Sequence, residues 1–118
     1  MAELNRNELE AMRILWQGAP LKPAQIQAQF AWDIENATLR SVLALLVSKG
    51  LAAREKRGKA FFYQARGSRR GMFSKMARTM ARVFTGGSTA GLIAQLIKNE
   101  KLSSQEIEEL RRIADEKV

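Results

Sequence analysis

Residues 37–65 read ATLRSVLALLVSKGLAAREKRGKAFFYQA, and this stretch decides the fold because its periodicity changes partway along. From 39 to 47 the apolar residues recur three and four positions apart, which predicts an amphipathic helix that ends at Lys49-Gly50. From 51 to 65 the period shortens toward two around Gly58, which predicts two strands joined by a turn. The stretch therefore predicts a helix followed by a basic β-hairpin.

Two further helices are expected upstream of this stretch. Asn5 and Glu8 have the spacing of a capping box and precede an apolar stripe at helical spacing, which predicts a first helix over 6–17. Pro23 suits the first turn of a second helix, predicted over 23–31, because the nitrogen of proline has no hydrogen to donate there. Three helices followed by a hairpin is the element order of a winged helix-turn-helix.

The remainder of the chain is predicted to be helical. An amphipathic helix begins near Arg69, and Gly86-Gly87-Ser88 breaks it. Ser88 is expected to cap the next helix, and Ser103 with Glu106 gives a capping box before a last helix. Three helices with separate apolar stripes carry more apolar surface than one short chain buries, which favours pairing with a second copy. A monomeric helical cap on the winged domain is one alternative, and a membrane-surface role for the basic helix is another. The expected dimerisation residues are Met72, Met76, Met80, Val83, Phe84, Leu92, Ile93, Leu96, Ile97, Ile107 and Leu110.

The expected fold class is mainly α with a small antiparallel β-hairpin, as a winged helix-turn-helix joined to a C-terminal helical dimerisation region. We assign residues 1–66 to the winged-helix DNA-binding domain and residues 67–118 to the helical dimerisation region. A chain of 118 residues can bury one small core and carry an appendage that gains its stability from a partner.

Positive charge is concentrated in one part of the chain. Residues 37–82 hold twelve Lys and Arg side chains and a single acid, Glu55, whereas the net charge of the whole chain is +8. The segments on either side are therefore net acidic. A polyanion is the expected partner, and a winged helix makes double-stranded DNA the expected polyanion.

The outer face of the third helix is the expected base-reading surface. Its side chains are mostly small or uncharged, which suits a helix that enters the major groove, about 12 Å wide. An ordinary solvated helix face has the same composition and is the alternative. The expected base-reading residues are Thr38, Arg40, Ser41, Leu45 and Ser48.

The hairpin and the segments beside it are expected to bind phosphates. A hairpin tipped with cations suits a phosphate backbone or a minor groove, and the alternative is a charged edge that prevents strand-to-strand aggregation. The expected phosphate contacts are Lys49, Arg54, Lys56, Arg57, Lys59, Arg66, Arg69 and Arg70.

The chain contains neither cysteine nor histidine. Without them it lacks the commonest nucleophile, the commonest general base and the commonest zinc ligands, so we expect neither an enzyme nor a metal site or cofactor. No apolar run approaches the roughly 20 residues that cross a bilayer, and residues 1–5 lack the pattern of a signal peptide. We therefore expect a soluble cytoplasmic protein without membrane insertion.

Five segments also carry a family resemblance, and they span nearly the whole chain. The segments are Leu4…Glu8-Leu9…Met12…Leu15-Trp16 with Gly18, Thr38-Leu39-Arg40-Ser41-Val42-Leu43, Lys49-Gly50-Leu51, Gly58-Lys59-Ala60-Phe61-Phe62-Tyr63, and Leu102-Ser103-Ser104-Gln105-Glu106-Ile107-Glu108-Glu109-Leu110-Arg111-Arg112. Together they resemble the penicillinase-repressor family, which contains beta-lactamase and methicillin-resistance repressors and copper-responsive repressors. The resemblance implies an N-terminal winged helix, a C-terminal dimerisation region and binding to palindromic operators as a homodimer.

The chain also departs from the pattern of that family. Ser41 stands where the family usually has threonine, and Leu45 stands where it often has arginine or another polar residue. Leu45 implies a different operator, because leucine cannot hydrogen-bond to guanine. The cysteines by which copper-responsive members sense metal are absent. In antibiotic-responsive members a metalloprotease cuts an Asn-Phe bond, and the corresponding position here reads Gln95-Leu96, a candidate cleavage site.

The sequence thus predicts a transcriptional repressor that binds palindromic operator DNA as a homodimer, with the third helix in the major groove and the hairpin on the backbone. Release would come from proteolysis of the C-terminal region, with a membrane metalloprotease as partner, or from another signal. Two alternatives from other classes remain, a non-specific architectural DNA-binding protein and a winged-helix module that binds other proteins.

Overall fold

The computed structural model describes residues 4–116, and the chain divides into two compact units, Met1–Met72 (unit 1) and Phe73–Val118 (unit 2). Within the described residues, the elements in chain order are α1 Arg6–Gln17, α2 Pro23–Gln29, α3 Asn36–Ser48, β1 Ala52–Arg57, β2 Ala60–Ala65, α4 Arg69–Thr85, α5 Thr89–Asn99 and α6 Ser104–Asp115. This architecture confirms the expected class, mainly helical with one antiparallel hairpin. The outer ends of the two predicted domains, residues 1–3 and 117–118, lie outside the described residues.

The core of unit 1 forms where the apolar faces of its first three helices meet the base of the hairpin. Leu39, Leu43 and Leu46 of α3 are fully buried, as the apolar stripe of that helix predicts. Burying a side chain of this size stabilises the folded state by about 1.5–3 kcal/mol. The buried residues of the core are Ala11, Met12, Ile14, Leu15, Ile26, Leu39, Val42, Leu43, Leu46, Ala52 and Tyr63.

The first two helices begin as expected, but α2 ends early. The backbone N–H of Glu8 donates to Oδ1 of Asn5 over 2.8 Å, and the backbone N–H of Asn5 donates to Oε1 of Glu8 over 3.0 Å, so the predicted capping box forms. The second helix ends at Gln29 and not at residue 31. The backbone N–H of Ala31 donates instead to Oε2 of Glu10 on α1, over 2.8 Å. A contact with another helix therefore holds the chain just beyond the end of α2.

The two strands form the predicted antiparallel hairpin, with Lys56 opposite Phe61. Gly58 in the turn has a φ of +62°, a conformation that residues other than glycine rarely adopt. Leu21 holds the base of the hairpin, because its backbone N–H donates to the carbonyl of Tyr63 over 3.0 Å and its carbonyl accepts from Tyr63 over 2.8 Å. The base of the hairpin is therefore fixed to the core, while the turn end is exposed.

Unit 2 is helical, and its start signals are those predicted. The hydroxyl oxygen of Ser88 accepts a hydrogen bond from the backbone N–H of Gly91 over 2.8 Å and caps α5. Ser103 and Glu106 form the expected capping box at the start of α6. Among the helices that the structure describes, none is both long enough and apolar enough to cross a membrane.

Candidate nucleic-acid interface

The outer face of α3 carries the residues expected to read bases. The buried stripe of this helix fixes which residues face outward, because helical residues three and four apart share a face. Thr38, Arg40, Ser41, Leu45 and Ser48 are all exposed. Four of these side chains are polar, and the side chain of Leu45 is 48% exposed. All five residues thus lie outside the buried stripe of α3.

Arg40 has a partner that the sequence reasoning did not single out. The third helix begins at Asn36. Nε of Arg40 donates to Oδ1 of Asn36 over 2.8 Å, across one helical turn. The spacing of four residues between Asn36 and Arg40 is the signal that could have identified this pair.

Lys49 has a partner other than the expected phosphate. Its ammonium nitrogen lies 2.6 Å from Oε2 of Glu8, whose side chain is only 2% exposed. Burial raises the pKa of Glu8, but the hydrogen bonds from Lys49 and from the backbone of Asn5 lower it by more, so the pKa lies below its ordinary value. The carboxylate is therefore ionised at neutral pH, and the ion pair fastens the end of α3 to the start of α1.

The hairpin, residues 52–65, which we call the wing, carries its cations on exposed side chains. Arg54, Lys56, Arg57 and Lys59 are all exposed. A guanidinium nitrogen of Arg57 lies 3.4 Å from a carboxylate oxygen of Glu55. Both side chains are exposed, so this ion pair contributes little stability. The wing therefore presents a positively charged surface to solvent.

Two aromatic rings lie beneath these cations. Cζ of Arg54 is 4.4 Å from the centroid of the Phe61 ring, and Nζ of Lys56 is 5.9 Å from it. Cζ of Arg57 is 5.2 Å from the centroid of the Phe62 ring. All three distances are within the range of a cation–π interaction, which extends to about 6 Å. The alternating pattern of the sequence predicted the two strands but gave no sign of this stacking.

Three further cations follow the wing within unit 1. Arg66, Arg69 and Arg70 are all exposed. The backbone N–H of Arg66 donates to the carbonyl of Leu51 over 2.9 Å, which closes the base of the hairpin, and Arg69 is the first residue of α4. These cations therefore belong to the same unit as α3 and the wing.

The residues predicted for dimerisation differ in their exposure. Met72 packs against the core of unit 1, Leu92 is buried, and Met76 and Ile97 are partly buried. The remaining members, Met80, Val83, Phe84, Ile93, Leu96, Ile107 and Leu110, are exposed. Two exposed apolar side chains that the prediction omitted are Phe73 and Ile113. Unit 2 therefore presents several large apolar side chains to solvent.

Gln95 and Leu96, the candidate cleavage site, lie within α5, and both side chains are exposed. A protease would have to unwind the helix locally before it could bind this peptide bond as an extended strand. Across residues 4–116, no group of three or more His, Cys, Asp or Glu side chains is placed to hold a metal ion.

Known proteins resemble the chain over nearly its whole length. The family model described as penicillinase repressor matches residues 4–116. The penicillinase repressor of Staphylococcus aureus is 28% identical over 116 residues, which cover 97% of this chain and 92% of that protein. The methicillin resistance regulatory protein MecI of Mammaliicoccus sciuri is 31% identical over 118 residues, which cover 98% of this chain and 95% of that protein. These relatives are regulators, in agreement with the expectation that the chain is not an enzyme.

Solved structures of regulators share the fold. A probable transcriptional regulator from Pseudomonas aeruginosa matches with a TM-score of 0.57 and 23% identity, over 94% of this chain and 76% of that one. The multiple antibiotic-resistance repressor MarR from Listeria monocytogenes matches with a TM-score of 0.54 and 19% identity, over 94% of this chain and 69% of that one. These likenesses confirm the winged-helix architecture.

Proposed function

The chain belongs to the penicillinase repressor family of transcriptional repressors, and we propose that it binds palindromic operator DNA as a homodimer in the cytoplasm. In the proposed complex, α3 lies in the major groove and the wing lies on the phosphate backbone. The observation that carries the proposal is that unit 1 exposes both a mostly uncharged helix face and a group of cations on the wing.

The face of α3 suits base reading because its side chains match the chemistry of base edges. The two terminal nitrogens of Arg40 can donate to O6 and N7 of guanine, and the hydroxyls of Thr38, Ser41 and Ser48 can donate or accept. Leu45 can pack on a thymine methyl group but cannot hydrogen-bond. The operator should therefore differ from those of family members that carry a polar residue at this position.

Phosphate binding is assigned to the cations of the wing and of the segment after it. These are Arg54, Lys56, Arg57, Lys59, Arg66, Arg69 and Arg70. Each phosphate that they neutralise releases condensed counterions, so the affinity should fall as the salt concentration rises. Lys49 was also among the expected phosphate contacts, but its ammonium nitrogen lies 2.6 Å from a carboxylate oxygen of Glu8. In our proposal Lys49 therefore joins the end of α3 to α1 instead of binding DNA.

The homodimer is supported by the exposed apolar side chains of unit 2. None of the described residues of α6 is buried, and its apolar side chains Ile107, Leu110 and Ile113 are 39%, 41% and 51% exposed. Covering apolar surface of this kind lowers the free energy, and a second copy of the chain offers the same apolar stripe to cover it. The symmetry of such a dimer would match the symmetry of a palindromic operator.

Release from DNA is assigned to proteolysis of unit 2, with a membrane metalloprotease as the partner and a different signal as the alternative. Gln95 and Leu96 are exposed on α5. Cleavage between them would detach α6 and with it part of the apolar surface that supports the dimer. Coexpression with the candidate protease, followed by mass spectrometry of the fragments, tests this route.

Selection from a pool of random-sequence DNA duplexes tests the proposed function. The enriched duplex and a scrambled version of it then compete for the purified protein at moderate salt. A repressor should enrich a palindrome and bind it about a thousandfold or more tightly than the scrambled duplex. Equal binding to both duplexes would instead indicate an architectural DNA-binding protein. Little salt-dependent binding to either duplex would indicate a module that binds other proteins.

A further inference from the structure

Phe61 is an aromatic residue that lies outside the buried core of unit 1. It stands on β2 near the turn of the wing, and its side chain is 36% exposed. Phe61 pairs with Lys56 across the strands, and Arg54, two residues before Lys56, lies on the same face. Both cations lie over its ring, at 4.4 Å for Arg54 and 5.9 Å for Lys56.

The Phe61 ring offsets the repulsion between the two positive charges of Arg54 and Lys56 on β1. Residues two apart on a strand are separated by about 6.6 Å, so the charges of Arg54 and Lys56 repel each other. The face of an aromatic ring carries partial negative charge and attracts both cations. Phe61 therefore holds together two side chains that would otherwise spread apart in water.

Stacking is compatible with phosphate binding. A guanidinium that stacks by its face keeps its N–H donors in its own plane, where they can point at phosphate oxygens. An ammonium has three donors, so Lys56 can lie over the ring and still donate outward. Neither cation has to leave Phe61 in order to contact DNA.

We propose that Phe61 is a positioning residue for DNA binding, which orders Arg54 and Lys56 in the orientation that reaches phosphates. This inference rests on the proposed DNA-binding function of the wing and adds to it a residue without charge. The physical gain is entropic, because a long side chain that is ordered before binding loses less freedom when it binds.

The wing contains a matched control. Arg57 lies over Phe62 at 5.2 Å, and it is adjacent to Lys56 in the strand, so it faces the opposite side of the hairpin. Removing Arg57 takes one cation from the same wing but leaves the contacts of Phe61 in place. The effect of Phe61 should therefore depend on Arg54 and Lys56 and be independent of Arg57.

The test measures the affinity of the full chain for a random-sequence DNA duplex by fluorescence anisotropy at several salt concentrations. Phe61→Leu and Phe61→Met remove the ring but keep an apolar side chain, whereas Phe61→Tyr keeps the ring. Each variant is made in the unaltered chain, in Arg54→Ala/Lys56→Ala and in Arg57→Ala. Thermal unfolding of every variant checks that the fold is retained.

We expect Phe61→Leu and Phe61→Met to weaken binding about two- to fivefold, the factor that corresponds to an exposed cation–π interaction. The loss should be equal at every salt concentration, because the number of phosphate contacts does not change. Phe61→Tyr should keep the original affinity. Removing the ring should weaken binding by the same factor in the Arg57→Ala background and should have no effect in the Arg54→Ala/Lys56→Ala background. If Phe61 had a merely structural role, removing the ring would weaken binding equally in the unaltered chain and in both backgrounds.

Three results would overturn this inference while leaving DNA binding intact. The first is that Phe61→Leu and Phe61→Met leave the affinity unchanged. The second is that Phe61→Tyr weakens binding as much as these two variants do. The third is that removing the ring in the Arg54→Ala/Lys56→Ala background weakens binding as much as it does in the unaltered chain. Unfolding of both ringless variants would also overturn it, because Phe61 would then act on stability. If the unaltered chain shows no salt-dependent binding to any duplex, the proposed function fails and this inference fails with it.

Discussion

Replacing Lys49 by methionine should destabilise unit 1 far more than it weakens DNA binding. The ammonium of Lys49 lies 2.6 Å from the carboxylate of Glu8, and the side chains are 22% and 2% exposed, respectively. Methionine keeps most of the unbranched side chain but removes the charge. The carboxylate of Glu8 would then stay buried without its cation.

The magnitude follows from the burial of Glu8. Removing one partner of a buried ion pair costs about 3–5 kcal/mol, because the remaining charge is uncompensated. Lys49 is partly exposed, so water can approach, and the backbone N–H of Asn5 still donates to Glu8 over 3.0 Å. Both features favour the lower end, so we expect Lys49→Met to lower the free energy of unfolding by about 3 kcal/mol.

Urea unfolding of four proteins measures this effect. They are the unaltered chain, Lys49→Met, Glu8→Gln, and the double variant. In the Glu8→Gln background residue 8 carries no charge for Lys49 to compensate, so Lys49→Met should cost less there than in the unaltered chain. A loss of less than about 1 kcal/mol in the unaltered chain, or equal losses in both backgrounds, would refute the reasoning. The salt dependence of DNA binding should stay unchanged, since a lost phosphate contact would lower its slope by about one.

The pH dependence of stability gives a second measurement on the same pair. The pKa of Glu8 in the folded state lies below its ordinary value of 4.5, so the stabilisation is complete above pH 4.5 and is lost as the pH falls through the folded pKa. Without Lys49, burial raises the pKa of Glu8. Because the loss of stability in acid depends on how far the folded pKa lies below the unfolded pKa, Lys49→Met should lose less stability than the unaltered chain as the pH falls. Parallel pH profiles in urea unfolding would contradict this expectation.

Three further substitutions test the remaining parts of the proposal. Lys59→Ala should weaken binding to all duplexes alike and lower the slope of log affinity against log salt by about one, so an unchanged slope would exclude this phosphate contact. Arg40→Ala should cost about 1–3 kcal/mol on the selected duplex and much less on the scrambled one, and equal losses would exclude base reading. Leu110→Glu should convert a dimer to a monomer in analytical ultracentrifugation, because an apolar interface cannot accept an unpaired charge. Leu110 is 41% exposed, so the helical circular dichroism should not change, and a dimer that persists would contradict its assignment.

The parts of the fold that depend on near neighbours in the chain could be predicted from the sequence. The capping boxes at Asn5 with Glu8 and at Ser103 with Glu106 join residues three apart, so the spacing alone identifies them. The bounds of α1 are those expected, since its cap and its apolar stripe are both local signals. The exposed face of α3 follows in the same way from the position of its buried stripe.

Features that depend on distant residues could not be predicted from spacing. Glu10 accepts from the backbone of Ala31, 21 residues away, and Glu8 pairs with Lys49, 41 residues away. The sequence shows only an acid in the first turn of one helix and a cation at the end of another. Because Lys49 lies in a strongly basic segment, its charge was assigned to DNA along with its neighbours, although the fold itself uses it.

Affinity and specificity lie on different side chains in the proposed complex. The cations of the wing bind phosphates, which are the same in every DNA sequence. They therefore fix the position of the protein on the duplex without distinguishing one base sequence from another. A positive charge at position 45 would likewise raise the affinity for every duplex. Leu45, which is 48% exposed on α3, would instead strengthen binding only where an apolar group such as a thymine methyl covers it. In the proposed complex, an exposed leucine on this face would therefore favour the duplexes that place a thymine methyl group against it.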